Sequence, residues 1–318
     1  MTKLIIQIPC YNEEAMLGVT LDALPREVAG VDKVEWLVVD DGSNDGTVEV
    51  ARAHGVDHIV HLSHNLGLAR AFMAGIEGSL TAGADIIVNT DADNQYSAED
   101  IPKLIAPILA GDALIVIGAR DISGIAHFPL MKKLLQQFGS WVVRIVSGTD
   151  IPDAPSGFRA MSRDAAIELN VFDGYTYTLE MIIQAGRRGI PITSVPVRTN
   201  PDLRPSRLIK STGSYVRRSF FTIWRIFLVY KPFRFFVILG SIPFTIGFLL
   251  GVRWLVLFFE GTTRAHVPSL ILAAILLLVG FMLWMLGLAA DLQSINRRLL
   301  EDIQFTLRRA KYATSIKG

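Results

Sequence analysis

The chain has 318 residues, a formal net charge of +1 and 51% apolar residues. Its single cysteine, Cys10, excludes an internal disulfide, and we expect a small buried thiol there rather than a nucleophile. The nearly neutral charge gives no indication of a nucleic-acid partner. The length suggests about two domains, and the apolar excess lies mainly after Tyr230. We therefore expect a globular N-terminal part and a membrane-associated C-terminal part.

Strand and helix signals alternate from the N-terminus onward. The opening stretch "MTKLIIQIPC" has too short an apolar core for a signal peptide and is typical of a first strand. Ser97 and Asp100 have the spacing of a capping box at the start of a helix. The alternation predicts an α/β fold with a mostly parallel sheet and helices on both faces. Strands are predicted at 4–8, 34–40, 57–62, 85–90 and 113–119, and helices at 13–24, 46–54, 67–80 and 97–109.

Two later segments, 235–252 and 267–290, contain no charged residue and are long enough to cross a bilayer as helices. Basic residues collect before the first and after the second, which predicts that the globular N-terminal part and both termini are cytoplasmic. The alternative is a pair of buried core helices. Gly240, Gly247 and Gly251 in the first segment suit helix association, so we expect a homo-oligomer.

The stretch before these helices mixes Arg and Lys with Phe, Trp and Tyr, a composition typical of helices lying in a membrane interface. The alternative is a linker helix with a solvated basic face. The predicted organisation is a globular domain, amphipathic juxtamembrane helices, two transmembrane helices (about 233–258 and 267–290) and a basic cytoplasmic tail. Their bounds are 1–207, 208–232, 233–290 and 291–318.

Acidic residues follow two of the predicted strands. Asp40 and Asp41 end the second strand, and Asp91 and Asp93 follow the fourth. Ligands of parallel sheets bind at the carboxyl ends of the strands, so both acidic clusters should face one crevice. Carboxylate oxygens and the amide oxygen of Gln95 are suitable ligands for Mg²⁺ or Mn²⁺. A solvated turn is the alternative, while the absence of G-x-G-x-x-G and G-x-x-x-x-G-K-[ST] argues against a dinucleotide site or a P-loop.

Four motifs occur in order along the globular part: "IPCYNEE", "VVDDGSNDGT", "NTDADNQY" and "PDAPSGFRAMS". As a set they resemble the family 2 inverting glycosyltransferases of the GT-A fold, which has a Rossmann-like, mostly parallel sheet. The basic-aromatic segment and the two spans narrow the resemblance to polyisoprenyl-phosphate glycosyltransferases, the group that includes dolichyl-phosphate mannose synthases and GtrB-type glucosyl enzymes.

The resemblance implies roles for individual residues. Asp153 stands at the position of the catalytic aspartate, as a base or as an orienting group. Asp91, Asp93 and Gln95 match a D-x-D-x-Q pattern that binds Mg²⁺ or Mn²⁺. The residues implied in nucleotide binding are Pro9, Tyr11, Glu13, Asp41, Arg70 and Asp91. The residues implied near the acceptor phosphate are Arg120, Lys132 and, where the family often has R-x-x-G-x-S-K, Arg204, Arg207 or Lys210.

The implied activity is inverting transfer of a sugar from a UDP- or GDP-linked donor to a membrane polyisoprenyl phosphate. A phosphate monoester has a second pKa near ~6 and is mostly dianionic at neutral pH, so a general base is less necessary than for an alcohol acceptor. One alternative is a processive polysaccharide synthase, although the chain lacks Q-x-x-R-W and has only two predicted spans. Another is a non-enzymatic, membrane-anchored nucleotide-sugar sensor, against which the presence of Asp91, Asp93 and Asp153 argues.

Overall fold

The structure is a computed structural model. It describes residues 1–120, 130–169, 177–201, 230–261 and 267–313, together with 224, 225 and 228; for 130–138, 298, 301 and 313 it describes the backbone alone. The chain divides into two compact units. The first comprises Met1–Phe220 and Gln304–Gly318, and the second Phe221–Ile303.

The first unit contains a sheet that has seven strands within the described residues, in the order β3-β2-β1-β4-β6-β5-β7. Neighbouring strands are parallel, except that β6 is antiparallel to both β4 and β5. The predicted α/β fold with a mostly parallel sheet is therefore confirmed. The strands are β1 Lys3–Cys10, β2 Lys33–Asp40, β3 His58–His61, β4 Ile86–Asn89, β5 Ile115–Arg120, β6 Arg159–Ser162 and β7 Ile192–Val197.

Helices connect these strands and cover the sheet. Leu4, Ile5, Ile6 and Ile8 of β1 have no exposed surface, so both faces of this central strand are covered, as is typical of parallel sheets. Cys10 at its end is also buried, and burial raises the pKa of its thiol, which agrees with the expected small buried residue. The helices of the first unit are α1 Glu14–Ala23, α2 Thr47–Ala53, α3 Leu68–Thr81, α4 Ile101–Leu109, α5 Leu130–Ser147, α6 Arg163–Glu168 and α7 Tyr177–Arg188.

The predicted capping box before α4 is wrong. A short 3-10 helix, Ala98–Asp100, precedes α4, and the side chain of Ser97 makes no capping hydrogen bond. The Asp100 carboxylate instead accepts hydrogen bonds from the backbone N–H of Arg198 at 2.7 Å and from its guanidinium at 2.9 Å. Hydrogen bonds with Arg198, which is distant in the chain, therefore take the place of the predicted capping box. They join the start of α4 to the end of β7.

The second unit contains helix α8, Pro232–Phe259, and most of helix α9, Val267–Ala313. Each is long and apolar enough to cross a membrane, and little of either apolar stretch is buried. Gly240 and Gly247 face α9 within this hairpin: a Cβ added at Gly240 would lie 2.8 Å from the Gly280 carbonyl oxygen. Gly240 and Gly247 therefore allow the two helices of one chain to pack closely. They no longer support the expected homo-oligomer.

Helix α9 continues beyond its apolar stretch, so most of the predicted basic tail is helical. Its last described part, from Gln304 onward, belongs to the first unit. There the Arg308 guanidinium hydrogen bonds to the Leu169 carbonyl and pairs with Glu77 of α3 at 3.0 Å. Tyr312, one helical turn later, is buried. This end of the helix packs on the α3 and α6 side of the first unit.

Candidate active site

The carboxyl ends of β1, β2 and β4 lie at one edge of the sheet. These strands are parallel, with Cys10 opposite Asp40 and Gln7 opposite Asn89. The loops that carry Asp41 and Asp91 therefore begin at the same edge, on either side of the loop that follows β1. This register places both acidic clusters at the same edge of the sheet, as expected; that they face one crevice stays a prediction.

The loop after β1 is held against the loop after β2. The backbone N–H of Asn12 donates to the Ser43 hydroxyl at 2.9 Å, and the N–H of Glu13 donates to the Thr47 hydroxyl at 2.9 Å. Asn12 has a left-handed backbone with φ of 52°, a conformation that costs free energy for residues other than glycine and often occurs at functional sites. Pro9 is buried at the end of β1, whereas Tyr11, which follows the strand, is 40% exposed.

Asp41 is buried and organises the segment that leads into α3. Its two carboxylate oxygens accept hydrogen bonds from the backbone N–H groups of Leu66 at 2.8 Å and Gly67 at 2.9 Å. Arg70 lies exposed in the first turn of α3, immediately after this segment. Asp41 thus connects the loop after β2 to the start of α3, the helix that carries Arg70.

The loop after β4 carries the predicted metal ligands. Asp91, Asp93 and Gln95 are each partly exposed, and an Asp93 carboxylate oxygen accepts a hydrogen bond from the Gln95 N–H at 3.2 Å. Asn94 between them has a left-handed backbone with φ of 55°. The Asn200 side-chain amide donates to the Asn94 carbonyl at 2.9 Å, so the end of β7 supports this strained turn.

Gly157 packs directly against Asp91. A Cβ added at Gly157 would lie 2.8 Å from both carboxylate oxygens of Asp91, closer than real Cβ contacts allow. The Gly157 N–H donates to the Tyr96 hydroxyl at 3.0 Å, and its carbonyl accepts from the Asn89 amide at 2.8 Å. The glycine thus leaves room for the carboxylate, and its peptide groups are held on both sides.

Asp153 lies in the same loop and binds Arg120 at the end of β5. The Arg120 Nε lies 2.7 Å from one carboxylate oxygen of Asp153, and its Nη2 lies 3.1 Å from the other. Burial alone would lower the pKa of the Arg120 guanidinium, but Tyr96 and Asp153 outweigh burial and raise it. Arg120 therefore stays charged, with its guanidinium 5.8 Å from the centre of the Tyr96 ring.

A second buried arginine, Arg159, begins β6 behind the loop. Its guanidinium donates to the carbonyl oxygens of Ser156 and Thr178, and burial lowers its pKa. Its positive charge, like that of Arg120, acts on Asp91. Burial and the neighbouring Asp93 charge nevertheless raise the pKa of Asp91 to about 6. The two carboxylates therefore repel each other in a partly dehydrated site, and a divalent cation would relieve this repulsion.

The residues present fit a hard divalent cation that also binds substrate. Within the described part of the chain, no group of three or more His, Cys, Asp or Glu side chains could hold a metal ion by itself. Asp91, Asp93 and Gln95 offer oxygen atoms alone, as Mg²⁺ and Mn²⁺ prefer. An incomplete protein ligand set suits Mg²⁺, which usually keeps waters and completes its shell with substrate phosphates. The space beside Gly157 keeps the Asp91 carboxylate free of a side chain that would displace it.

Some predicted site residues lie outside what the structure describes. The side chain of Lys132 on α5 and all of Arg204, Arg207 and Lys210 are outside the described residues. Other residues of the site were missed by sequence reasoning. Asn89 and Tyr96 fall inside "NTDADNQY", and Gly157 and Arg159 fall inside "PDAPSGFRAMS", so the motifs themselves were the available signal. Asn200 follows β7, a strand that was not predicted, and no pattern indicated it.

The architecture is that of a GT-A glycosyltransferase domain. Glucosyl-3-phosphoglycerate synthase from Mycobacterium tuberculosis, solved with Mn²⁺, UDP and glucosyl-3-phosphoglycerate, has a similar fold. It has a TM-score of 0.53 and 22% identity, and the match covers 71% of this chain and 79% of that chain. At this identity the likeness establishes the fold alone.

The family follows from the sequence comparisons. The model of glycosyl transferase family 2 matches residues 5–169, more than half of the chain. The chain is 33% identical over 205 residues to an undecaprenyl-phosphate mannosyltransferase of Micrococcus luteus, covering 61% of this chain and 82% of that protein. It is 28% identical over 233 residues to a polyprenol monophosphomannose synthase of Mycolicibacterium smegmatis, covering 70% and 85%. The chain belongs to glycosyl transferase family 2.

Proposed function

We propose that the protein transfers a sugar from a nucleotide sugar to a membrane polyisoprenyl phosphate, with inversion at the anomeric carbon. The observation that carries the proposal is the packing of Gly157 on Asp91, because it brings the acidic loop beside the loop of Asp153 and its partner Arg120. Two observations support a lipid acceptor. The two mannosyl relatives are named for polyprenyl-phosphate acceptors, and this chain has two helices that could span a membrane. The alternatives remain a processive polysaccharide synthase and a membrane-anchored nucleotide-sugar sensor.

The donor is proposed to bind at the carboxyl edge of β1, β2 and β4. Pro9, Tyr11 and Glu13 on one side and Asp41 and Arg70 on the other would surround a UDP or GDP moiety. Asp91, Asp93 and Gln95 would hold Mg²⁺ or Mn²⁺, which offsets the charge of the departing diphosphate when bound. Gly157 leaves room beside Asp91 for this arrangement.

The acceptor is proposed to approach from the side of Arg120. A dianionic phosphate needs cations to come near a diphosphate, and Arg120 is a charged guanidinium at this place. Lys132, Arg204, Arg207 and Lys210 are proposed as further cations for it. The phosphate oxygen would attack the anomeric carbon opposite the leaving group. The chain has to align the two substrates and exclude water, because the transition state has oxocarbenium character.

The apolar tail of such an acceptor stays in the bilayer, which explains why the family domain is joined to two helices that could span a membrane. We propose that the catalytic domain and both termini are cytoplasmic, supported by the basic residues that flank the helices. A homo-oligomer is proposed as well, without support from the hairpin glycines.

The test is a transfer assay on the full chain in detergent. UDP- and GDP-sugars are supplied one at a time with undecaprenyl phosphate and Mn²⁺, and the lipid product is identified by mass spectrometry and its anomeric configuration by NMR. We expect one sugar per lipid, inverted configuration, and loss of product after chelation that Mn²⁺ restores. A polymer would favour the synthase, and donor binding without product the sensor. Asp93→Asn, which removes a proposed metal ligand, is the low-activity control.

A further inference from the structure

A hydrogen-bonded path of buried polar groups runs beneath the acidic loop. The Gln7 amide on β1 donates to the Asn89 amide oxygen on β4 at 2.8 Å, and Asn89 donates to the Gly157 carbonyl at 2.8 Å. The Gly157 N–H completes the path by donating to Tyr96. Gln7 and Asn89 have no exposed surface and Tyr96 is 4% exposed. Polar groups in the middle of a sheet are costly unless paired, and this path pairs the Asn89 amide with Gln7 and with the Gly157 carbonyl, and the Gly157 N–H with Tyr96.

The Gly157 peptide is the wall against which the Asp91 carboxylate rests. Both carboxylate oxygens lie 2.8 Å from the position that a Cβ on Gly157 would take, and no residue other than glycine can occupy this position unless Asp91 moves. The ring of Tyr96 also stacks on the ring of Phe158, the residue that follows Gly157, with 5.1 Å between the ring centres. The position of the wall is therefore set by Asn89 from the sheet and by Tyr96 from the acidic loop.

We propose that Asn89 and Tyr96 are positioning residues, which fix the Gly157 peptide and thereby hold the Asp91 carboxylate in the geometry that binds a divalent cation together with a nucleoside diphosphate. The inference rests on the metal site of the proposed function and adds residues to it. It predicts that weakening the wall lowers the affinity for the cation, because Asp91 gains freedom to move away from Asp93. A merely structural role would lower stability and leave this affinity unchanged.

The first test is Tyr96→Phe, which removes the hydroxyl that accepts from Gly157 and keeps the ring on Phe158. Mn²⁺ binding to the full chain in detergent is titrated by electron paramagnetic resonance in the presence of UDP and, separately, GDP. We expect the Mn²⁺ dissociation constant to rise about 10-fold, a typical effect of losing a group that supports a metal ligand. The control is Ser162→Ala. The Ser162 hydroxyl accepts the capping hydrogen bond from the Ala165 N–H of α6, at the edge of the sheet opposite to the acidic loop. Equal affinities in Tyr96→Phe and Ser162→Ala would overturn the inference.

The second test is Gly157→Ala, which keeps the peptide hydrogen bonds and places a methyl group on the Asp91 carboxylate. We expect a larger loss of Mn²⁺ affinity than in Tyr96→Phe. Its control is Gly139→Ala on α5, where an added Cβ meets no atom of the described residues within 4 Å. Unchanged Mn²⁺ affinity in Gly157→Ala would overturn the inference even if Tyr96→Phe fails to fold.

The binding measurement also separates this inference from the proposed function. If the wild-type chain binds Mn²⁺ with a nucleotide but forms no lipid-linked sugar, only the proposed polyisoprenyl-phosphate acceptor is contradicted. The Mn²⁺ affinities of the variants then still decide whether the wall positions Asp91. A wild-type chain that binds no Mn²⁺ with either nucleotide overturns the inference together with the metal site.

Discussion

Arg120 donates three hydrogen bonds to the Asp153 carboxylate, from its backbone N–H at 3.1 Å, from Nε at 2.7 Å and from Nη2 at 3.1 Å. Asp153 is 1% exposed, and both of its oxygens are engaged by the same residue. A carboxylate bound in this way holds the guanidinium in one orientation, and its oxygens are already used as hydrogen-bond acceptors. The pair therefore favours an orienting role for Asp153 over that of a general base.

This relationship leads to a comparison of two aspartates. We expect Asp153→Asn to retain more activity than Asp93→Asn, because a dianionic acceptor is already nucleophilic and because asparagine can still accept from Arg120. Asp93→Asn should lower turnover on the order of 100-fold, the usual cost of losing one electrostatic stabiliser. The loss in Asp153→Asn should stay below the ~100-fold minimum typical of a general base. Turnover is measured with saturating Mn²⁺. A greater loss of turnover in Asp153→Asn than in Asp93→Asn would indicate that Asp153 acts as a general base.

The buried Asp100 predicts a dependence of stability on pH. Burial alone would raise its pKa, but hydrogen bonds from Arg198 and Lys103 outweigh burial and lower the pKa to about 2. An unfolded aspartate titrates near ~3.9, so the stabilisation is complete above that pH and is lost as the pH falls toward about 2. It amounts to at most about 2.6 kcal/mol.

Asp100→Asn should therefore be less stable than wild type at pH 6, and the difference should shrink between about pH 4 and pH 2. Thermal unfolding of the full chain in detergent measures this. Glu99→Gln is the matched control, because Glu99 pairs with the same arginine at 3.0 Å but is largely exposed, and such pairs contribute little. A difference that is constant with pH would show that the Asp100 charge is not the cause.

The hairpin of the two apolar helices α8 and α9 predicts a sharp contrast between two glycines. A Cβ at Gly280 would lie 2.7 Å from the Gly240 carbonyl oxygen, whereas a Cβ at Gly251 meets no atom within 4 Å. Gly280→Ala should force the helices apart and cost about 1–3 kcal/mol, as overpacking does elsewhere. Gly251→Ala should be neutral or slightly stabilising. Far-ultraviolet circular dichroism during thermal unfolding in detergent reports the difference, and equal behaviour of the two variants would contradict the packing of α8 on α9.

The contacts at the end of α9 predict that Arg308, and not the adjacent Arg309, holds this part of the helix in place. Arg308 binds the Leu169 carbonyl and Glu77, whereas Arg309 is exposed. Arg308→Ala removes hydrogen bonds of a charged group, worth about 1.5–3 kcal/mol each. Amide hydrogen exchange in residues 304–313 should therefore accelerate at least about 10-fold in Arg308→Ala. Arg309→Ala should leave it unchanged, and a similar acceleration in both would indicate loss of general charge rather than of a specific contact.

Much of this protein was determined by its sequence alone. The alternation of apolar runs and helical spacing depends on local periodicity, which explains why β1 to β5 and the two apolar helices could be predicted. The family was indicated separately, by the resemblance of four short motifs to glycosyltransferase family 2. The same-edge placement of Asp41 and Asp91 followed from the direction of parallel strands. In each case neighbouring residues, or a general rule for such sheets, carry the information.

Tertiary structure alone decided what the site residues contact. Asp100 carries a local capping pattern, yet its charge binds Arg198, which is distant in the chain, because an ionic partner outweighs a backbone N–H. The insertion of β6 as an antiparallel strand beside β4 brings Gly157 onto Asp91, and the end of β7 brings Asn200 to Asn94. Such contacts depend on strand order and on the absence of a single Cβ, neither of which periodicity records.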